Sequence, residues 1–159
     1  MRVITSDKIE QAVYELAKNA CLHLTPACTK ALQDAQKREE KGSAAAFALD
    51  TVLQNAATAA QENMAVCQDT GYAVILAELG QDVHIEGKLF SDAVNEGVRR
   101  AYEDFCFRKS VCDPITRVNT ADNTPAALHT EIVKGDKLKL TFLPKGFGSE
   151  NMSRLYMLT

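Results

Sequence analysis

Apolar residues in the first 65 positions recur at helical spacing. Ile9, Val13, Leu16 and Ala20 follow one another every three or four positions, which predicts an amphipathic helix. Ser6 or Asp7 is expected to cap the first amides of this helix with a side-chain oxygen, because short polar side chains stabilise helix starts.

Two more helices are predicted before residue 64. Thr25-Pro26 would open the second, with the hydroxyl as cap and proline in the first turn, and Gly42 marks its end. Ser43 would cap a third, alanine-rich helix that runs to about Asn63. Because alanine stands on several of its faces, we expect the third helix to be the most buried. The second helix is expected to turn these side chains inward: Leu24, Cys28, Ala31, Leu32 and Ala35.

After residue 64 the pattern changes to apolar runs of strand length. Residues 72–79 form an apolar run that includes one charged residue, Glu78, and this run predicts a strand covered on both faces. A short extended piece is expected around 83–85. Ser91-Asp92 would cap a fourth helix, whose apolar stripe includes Val98 and Tyr102.

The last third contains a polar loop over 112–125 and two further strands. Residues 128–133 and 138–143, joined by a turn over 134–137, predict a β-hairpin. A helical layer followed by a mixed sheet is typical of an α+β fold. We therefore predict one domain, helical over 1–65 and mixed α/β over 66–159.

Composition narrows the class of protein. The 159 residues are 46% hydrophobic and include 18 basic and 21 acidic side chains, for a net charge of −3. This balance argues against nucleic-acid or anionic-membrane binding, because neutralising phosphates requires a basic excess. No apolar run approaches the roughly 20 residues of a membrane span, and the N-terminus lacks the apolar core of a secretory signal. We expect a cytoplasmic protein whose five cysteines are reduced thiols or metal ligands.

Cys67-Gln68-Asp69-Thr70-Gly71 is the first segment that could carry chemistry. The Cys67 thiolate would be a soft metal ligand or a nucleophile, and Asp69 would hold a hydroxyl or move a proton. Spacing alone favours the simpler interpretation, a buried thiol beside an Asp-Gly turn.

Three other segments have both a structural and a functional interpretation. Arg108-Lys109-Ser110 either complements a helix C-terminus or grips a carboxylate with its guanidinium. Residues 113–125 form either a polar connector or a structured binding loop. The glycine-containing segment 145–151 is either a plain turn or an amide-rich anion site.

Together and in this order, the four segments resemble the class I fumarases, a family of oxygen-sensitive iron–sulfur hydro-lyases that includes L-tartrate dehydratase. The resemblance covers essentially the whole chain and is to the α subunit, or to the N-terminal domain of single-chain members. The sequence of segment 148–153 resembles the fumarases more closely than the tartrate dehydratases. The matching motifs are Cys67-Gln68-Asp69-Thr70-Gly71, Arg108-Lys109-Ser110, Asp113-Pro114, Asn119-Thr120, Asn123-Thr124-Pro125-Ala126 and 145–153.

The resemblance implies a [4Fe-4S] cluster held by three cysteines, with one iron open to a dicarboxylate substrate, fumarate or malate. Cys67 matches the first cysteine ligand. Gln68 and Asp69 match residues beside the substrate, with Asp69 the candidate catalytic residue as proton carrier or hydroxyl partner. Arg108 matches a carboxylate-binding arginine, and Gly148 matches a glycine of the substrate-facing loop.

Two departures from the family pattern matter. The chain ends at Thr159, before the family's second and third cluster cysteines, and the residues completing the site, including the catalytic base, belong to a β subunit or C-terminal domain. Phe147 stands where a small residue is expected, and should narrow its loop. None of the other cysteines occupies a matching position: Cys21, Cys28, Cys106 and Cys112.

We therefore expect part of a dimeric enzyme that is inactive without its β-type partner and hydrates fumarate reversibly when complete. The alternatives are an α fragment of L-tartrate dehydratase, a non-catalytic module that binds a dicarboxylate or a partner protein, and a purely structural role in assembly.

Overall fold

The computed structural model describes residues 1–148 and 153–158, and its helices and strands form the predicted α+β fold. In these residues, no helix combines the length and apolar character required to cross a membrane. The elements are β1 (Arg2–Thr5), α1 (Ser6–Leu22), α2 (Pro26–Arg38), α3 (Ala44–Glu62), β2 (Tyr72–Gly80), β3 (Val83–Glu86), α4 (Phe90–Asp104), β4 (Ala127–Val133) and β5 (Leu138–Lys145).

The main sheet is mixed, as predicted, and has the strand order β4-β2-β5. β2 runs parallel to β4 and antiparallel to β5, which sets Ile75 beside Leu128 on one side and Phe142 on the other. The strands and turn of the predicted hairpin are present, but β4 and β5 do not pair with each other because β2 lies between them. The turn wraps the end of β2: the Gly80 amide donates to the Lys137 carbonyl at 2.8 Å.

A second, two-stranded sheet pairs β1 with β3 in parallel, with Ile4 beside Ile85. The extended piece predicted around 83–85 is therefore a strand. Its partner β1 was not predicted, because four residues that run directly into a helix show too short a pattern to be recognised.

The core lies between the main sheet and the helices α1 and α4. Val13 of α1 and Val98 of α4 are fully buried, together with Ile75 of β2. The two helices approach closely at Gly97, where a Cβ atom would lie 2.8 Å from the Val13 Cβ. On the other face of β2, Leu76 is 42% exposed, so the prediction of a strand covered on both faces is wrong for the described residues.

The helix caps agree with the sequence for α2 and α3 only. Thr25 Oγ1 accepts the Cys28 amide at 3.2 Å, and Ser43 Oγ accepts the Ala46 amide at 3.1 Å. The caps predicted for the first and fourth helices, Ser6 or Asp7 and Ser91-Asp92, are wrong. These helices begin earlier, after Thr5 and Leu89, neither of which makes a side-chain capping hydrogen bond.

The expectation that α3 is the most buried helix is also wrong. Its only buried residue is Ala59, and Phe47 is 74% exposed. None of the residues of α2 is buried, so Cys28 lies at the surface instead of facing inward. The reason is that α2 and α3 pack mainly against each other, beside the core rather than within it.

Candidate functional site

The Cys67–Gly71 segment and the glycine-containing loop meet where β2 begins and β5 ends. The antiparallel register sets Tyr72 beside Lys145, which brings the preceding and following loops together. Gly71 has φ of +68°, and a Cβ atom there would overlap the Lys145 carbonyl oxygen. Only glycine therefore fits this crossing point.

Asp69 is the residue that joins these two loops. Its Oδ2 atom accepts hydrogen bonds from the backbone amides of Phe147, at 2.9 Å, and Gly148, at 3.2 Å. The Phe147 amide, then the Gly148 amide, and next the positive charge of Arg108 lower the pKa of Asp69 below its ordinary value. Asp69 is thus held as a carboxylate, and two predicted site residues, Asp69 and Gly148, are in direct contact.

The loop that follows β5 accommodates this carboxylate through its small residues. A Cβ atom on Gly146 would lie 3.1 Å from Asp69 Oδ2, so a side chain there would crowd the carboxylate. The ring of Phe147 stacks on Tyr72 with centroids 6.2 Å apart. Residues 149–152, which carry part of the family resemblance, lie outside the described residues.

Gln68 and Arg108, two further predicted site residues, line one cavity. Both side chains are exposed, and the cavity has a volume of about 570 Å³. In the described part of the chain, no ion pair occupies the Arg108 guanidinium. The remaining lining residues are Ala65, Thr70, Cys106 and Phe107.

Thr70 ties the segment that carries Gln68 and Asp69 to Arg108. The buried Thr70 hydroxyl accepts the Arg108 amide at 3.0 Å and donates to the Arg108 carbonyl at 3.4 Å. The Tyr102 hydroxyl of α4 donates to the carbonyl oxygens of Thr70, at 3.1 Å, and Gly71, at 3.2 Å. Burial raises the pKa of Tyr102, so its hydroxyl remains a neutral donor.

Asn123 connects the polar loop to both other segments. Its side chain is fully buried; Oδ1 accepts the amides of Ser110, at 2.7 Å, and Val111, at 3.2 Å, while Nδ2 donates to the Gly71 carbonyl at 3.1 Å. The loop is therefore ordered rather than a loose connector. Sequence reasoning assigned no site role to Thr70, Tyr102 or Asn123; the only local indication was that Thr70 and Asn123 lie inside the matching motifs.

Cys67 is an exposed free thiol, so the buried-thiol interpretation of this position is wrong. It lines a cavity of about 210 Å³, together with Asp69 and Cys21. Cys21 is the buried thiol, and burial raises its pKa to about 12. Across residues 1–148 and 153–158, no group of three or more His, Cys, Asp or Glu side chains could hold a metal ion. Cys67 therefore fits one ligand position, and the described residues do not complete a cluster site.

Comparison with known proteins gives one consistent result. Residues 10–159 match the family model described as fumarate hydratase (Fumerase). A Methanocaldococcus jannaschii protein provisionally named L(+)-tartrate dehydratase subunit alpha is 30% identical over 159 residues, which cover 95% of this chain and 55% of that protein. The aerobic class I fumarate hydratase of Escherichia coli K12 is 32% identical over 144 residues, 89% of this chain and 26% of that protein. Fumarate hydratase 2 of Leishmania major is 34% identical over 116 residues, 71% of this chain and 20% of that protein. The chain thus spans about half of the first relative and about a quarter or less of the other two.

Proposed function

The chain belongs to the fumarate hydratase family, and on that premise we propose that it forms part of an iron–sulfur hydro-lyase that interconverts fumarate and L-malate. The observation that carries this proposal is the junction at Asp69, whose carboxylate accepts the amides of Phe147 and Gly148. The cavity lined by Gln68 and Arg108 contains the complementary groups for a dicarboxylate.

In this proposal, each side chain of the site makes a different contact with malate. The Arg108 guanidinium is suited to grip one carboxylate through two parallel hydrogen bonds, and the Gln68 amide donates another. Because its pKa is lowered, Asp69 acts as a hydrogen-bond acceptor for the substrate hydroxyl more readily than as a proton carrier. Because Gly148 has no side chain, the backbone of its loop can lie close to the Asp69 carboxylate and to a substrate bound there.

Cys67 contributes one thiolate ligand to the cluster. When bound, a [4Fe-4S] cluster supplies a Lewis acid that polarises the bond between carbon and the leaving hydroxyl. The described residues do not complete a cluster site, so in this proposal the other two cysteine ligands are supplied from outside this chain. The catalytic base comes from the β-type subunit or C-terminal domain. This chain alone is then inactive, and the complete enzyme is a cytoplasmic dimeric assembly.

L-tartrate dehydration is the second candidate reaction. It is favoured by the relative named as a tartrate dehydratase subunit, whose match covers 95% of this chain. Tartrate is also a dicarboxylate with a leaving hydroxyl, so Arg108 and Asp69 would have the same tasks in either reaction.

The deciding experiment uses the complex purified without oxygen from its native source. Iron and acid-labile sulfide are measured per chain, together with turnover of malate, fumarate and tartrate. We expect a stoichiometric cluster and malate–fumarate interconversion, both lost in Cys67→Ser. Cys28→Ser is the matched control, because Cys28 is also an exposed thiol but lies on α2.

Each other outcome contradicts a different part of the proposal. Turnover of tartrate alone would move the assignment to tartrate dehydratase. A cluster retained in Cys67→Ser would remove Cys67 from the ligand set. Absence of iron and of turnover would leave a module that binds a dicarboxylate or a partner protein, and Arg108→Ala would then weaken dicarboxylate binding without any effect of Cys67→Ser.

A further inference from the structure

The Thr70 side chain makes both of its hydrogen bonds to a single residue far along the chain. Its hydroxyl accepts the Arg108 amide at 3.0 Å and donates to the Arg108 carbonyl at 3.4 Å, across 38 sequence positions. Thr70 is 5% exposed, so neither bond competes strongly with water. One hydroxyl therefore fixes the Arg108 backbone on both sides of its Cα atom.

The backbone around Arg108 has no helix or strand to fix it. α4 ends at Asp104, and Arg108 lies in an irregular segment between two anchors. The first anchor is Phe107, which is buried with its ring edge-on to Tyr102 at 5.4 Å. The second is Asn123, which accepts the Ser110 and Val111 amides. Thr70 acts between these anchors, directly on the residue whose guanidinium faces the cavity.

The same threonine belongs to the other half of the carboxylate site. Gln68 and Asp69 directly precede it in the chain, and the Tyr102 hydroxyl holds its carbonyl at 3.1 Å. A bidentate contact from arginine to a carboxylate requires a defined position and orientation of the guanidinium. The Thr70 hydroxyl therefore links the backbone of Arg108 to the segment that carries Gln68 and Asp69.

We propose that Thr70 is a positioning residue that holds Arg108 for binding a substrate carboxylate opposite Gln68. This inference rests on the proposed hydro-lyase function, and it assigns to Thr70 a role in substrate affinity that is separate from its role in the fold.

The test compares Thr70→Val, which keeps the shape but removes the hydroxyl, with Thr70→Ser, which keeps the hydroxyl. In the complete enzyme, Thr70→Val is expected to raise the KM for malate by about three- to tenfold, the range expected when the displaced Arg108 loses one hydrogen bond to the substrate. The inhibition constant of succinate, a dicarboxylate that cannot be hydrated, should rise by a similar factor. The kcat should change by less than about twofold, because the two hydrogen bonds of Thr70 affect substrate binding. Thr70→Ser should restore wild-type values.

A double-mutant cycle separates positioning from general stability. In an Arg108→Ala background, Thr70→Val should have no further effect on either constant, because the hydroxyl acts through Arg108. Thr51→Val, on α3, is the matched control. The Thr51 hydroxyl also donates to a backbone carbonyl, that of Phe47 at 2.9 Å, and removal of this hydroxyl should leave the KM unchanged.

Three results would overturn the inference. An unchanged KM and inhibition constant in an active Thr70→Val enzyme would do so while leaving the proposed function intact. Equal effects of Thr70→Val with and without Arg108 would show a role in the fold alone. Absence of turnover of malate, fumarate and tartrate by the wild-type enzyme would overturn the proposed function and this inference together.

A measurement on the wild-type enzyme covers the case in which Thr70→Val does not fold. Hydrogen exchange is followed with and without succinate. Because Thr70 couples the two segments, succinate should slow amide exchange in 68–71 and 107–110 together. Protection of only one segment would contradict the coupling.

Discussion

The Asp69 carboxylate accepts the backbone amide of Phe147 at 2.9 Å, although 78 positions separate the two residues. The contact exists because β2 and β5 are antiparallel neighbours, so the loop that enters β2 and the loop that leaves β5 share one end of the sheet. A negative charge is thereby placed against two amide donors, which accounts for the lowered pKa of Asp69.

Replacing Asp69 by asparagine should reduce stability at neutral pH but not in acid. Because the folded pKa of Asp69 is lowered, its contribution is present above the unfolded pKa of about 4 and is lost as the pH falls through the folded pKa. The measurement is the free energy of unfolding in urea for wild type and Asp69→Asn between neutral and acidic pH. The free energies of unfolding of the two proteins should differ most at neutral pH and become equal in acid.

A matched control for that measurement is Asp136→Asn, in the exposed turn between β4 and β5. It also removes one negative charge, and should change the free energy of unfolding by less than about 0.5 kcal/mol. A difference between wild type and Asp69→Asn that stays constant down to the most acidic pH would contradict the assignment of the lowered pKa to Asp69.

Gly71→Ala should destabilise the protein by at least about 3 kcal/mol, because the added Cβ overlaps the Lys145 carbonyl and the backbone is left-handed there. Gly42→Ala is the control: φ is +83° at Gly42, but nothing lies within 4 Å of the added Cβ. It should cost only about 1 kcal/mol. Thermal unfolding of both variants measures the difference, and equal losses would argue against the close crossing of the two loops.

The sequence alone predicted those helices whose apolar periodicity or capping residue can be recognised within one continuous segment. Periodic apolar residues located α1 and α4, and Thr25 and Ser43 identified the starts of α2 and α3 as caps. Strand order was not accessible in this way. A turn between two strands favours their pairing, and the insertion of β2 between β4 and β5 depends on which neighbours best bury Ile75, a property of the assembled sheet.

Asn123→Ala should destabilise the protein by about 2–4 kcal/mol, because it leaves the part-buried amides of Ser110 and Val111 without this partner and removes one of the two hydrogen bonds to the buried Gly71 carbonyl. Asn119→Ala is the comparison: that side chain also makes two hydrogen bonds to backbone, but it is exposed, so water can replace it. The Asn119→Ala substitution should lower the free energy of unfolding by about 1 kcal/mol or less. Unfolding in urea measures both, and a similar loss in the two variants would contradict the role of burial.

Thiol labelling at neutral pH should distinguish the cysteines. Cys28, Cys67 and Cys106 are exposed and should react with a maleimide in the folded, cluster-free chain. Cys21 should react only after unfolding, because it is buried and its pKa is raised to about 12. Mass spectrometry of peptides from folded and denatured protein gives the comparison. Labelling of Cys21 at the rate of Cys28 would show that the core beside Cys67 opens readily.

The raised pKa of Cys21 also predicts a loss of stability in alkali. As the pH rises above about 9, the thiol ionises in the unfolded chain but remains neutral in the folded one, so unfolding becomes more favourable up to about 12. Replacing Cys21 by alanine should remove this part of the pH dependence, although the smaller side chain lowers stability at every pH.

The sequence could point to candidate site residues whose own side chains would contact the substrate or the cluster. Cys67, Gln68, Asp69 and Arg108 are exposed or partly exposed polar residues in matching motifs. Thr70, Tyr102 and Asn123 were not recognised because they bond to backbone groups far along the chain. The separation is 38 positions for Thr70, 31 and 32 for Tyr102, and 12, 13 and 52 for Asn123. Such partners have no fixed spacing along the chain.

The central position of β2 has a consequence for synthesis on the ribosome. β2 ends at Gly80, but neither of its neighbours in the sheet exists until residues 127–145 have been made. At about 5–20 residues per second, the nascent strand waits several seconds with its apolar residues and both hydrogen-bonding edges without their final partners. Chaperones that hold extended apolar segments should therefore bind nascent chains of intermediate length, and release them once β5 has left the exit tunnel.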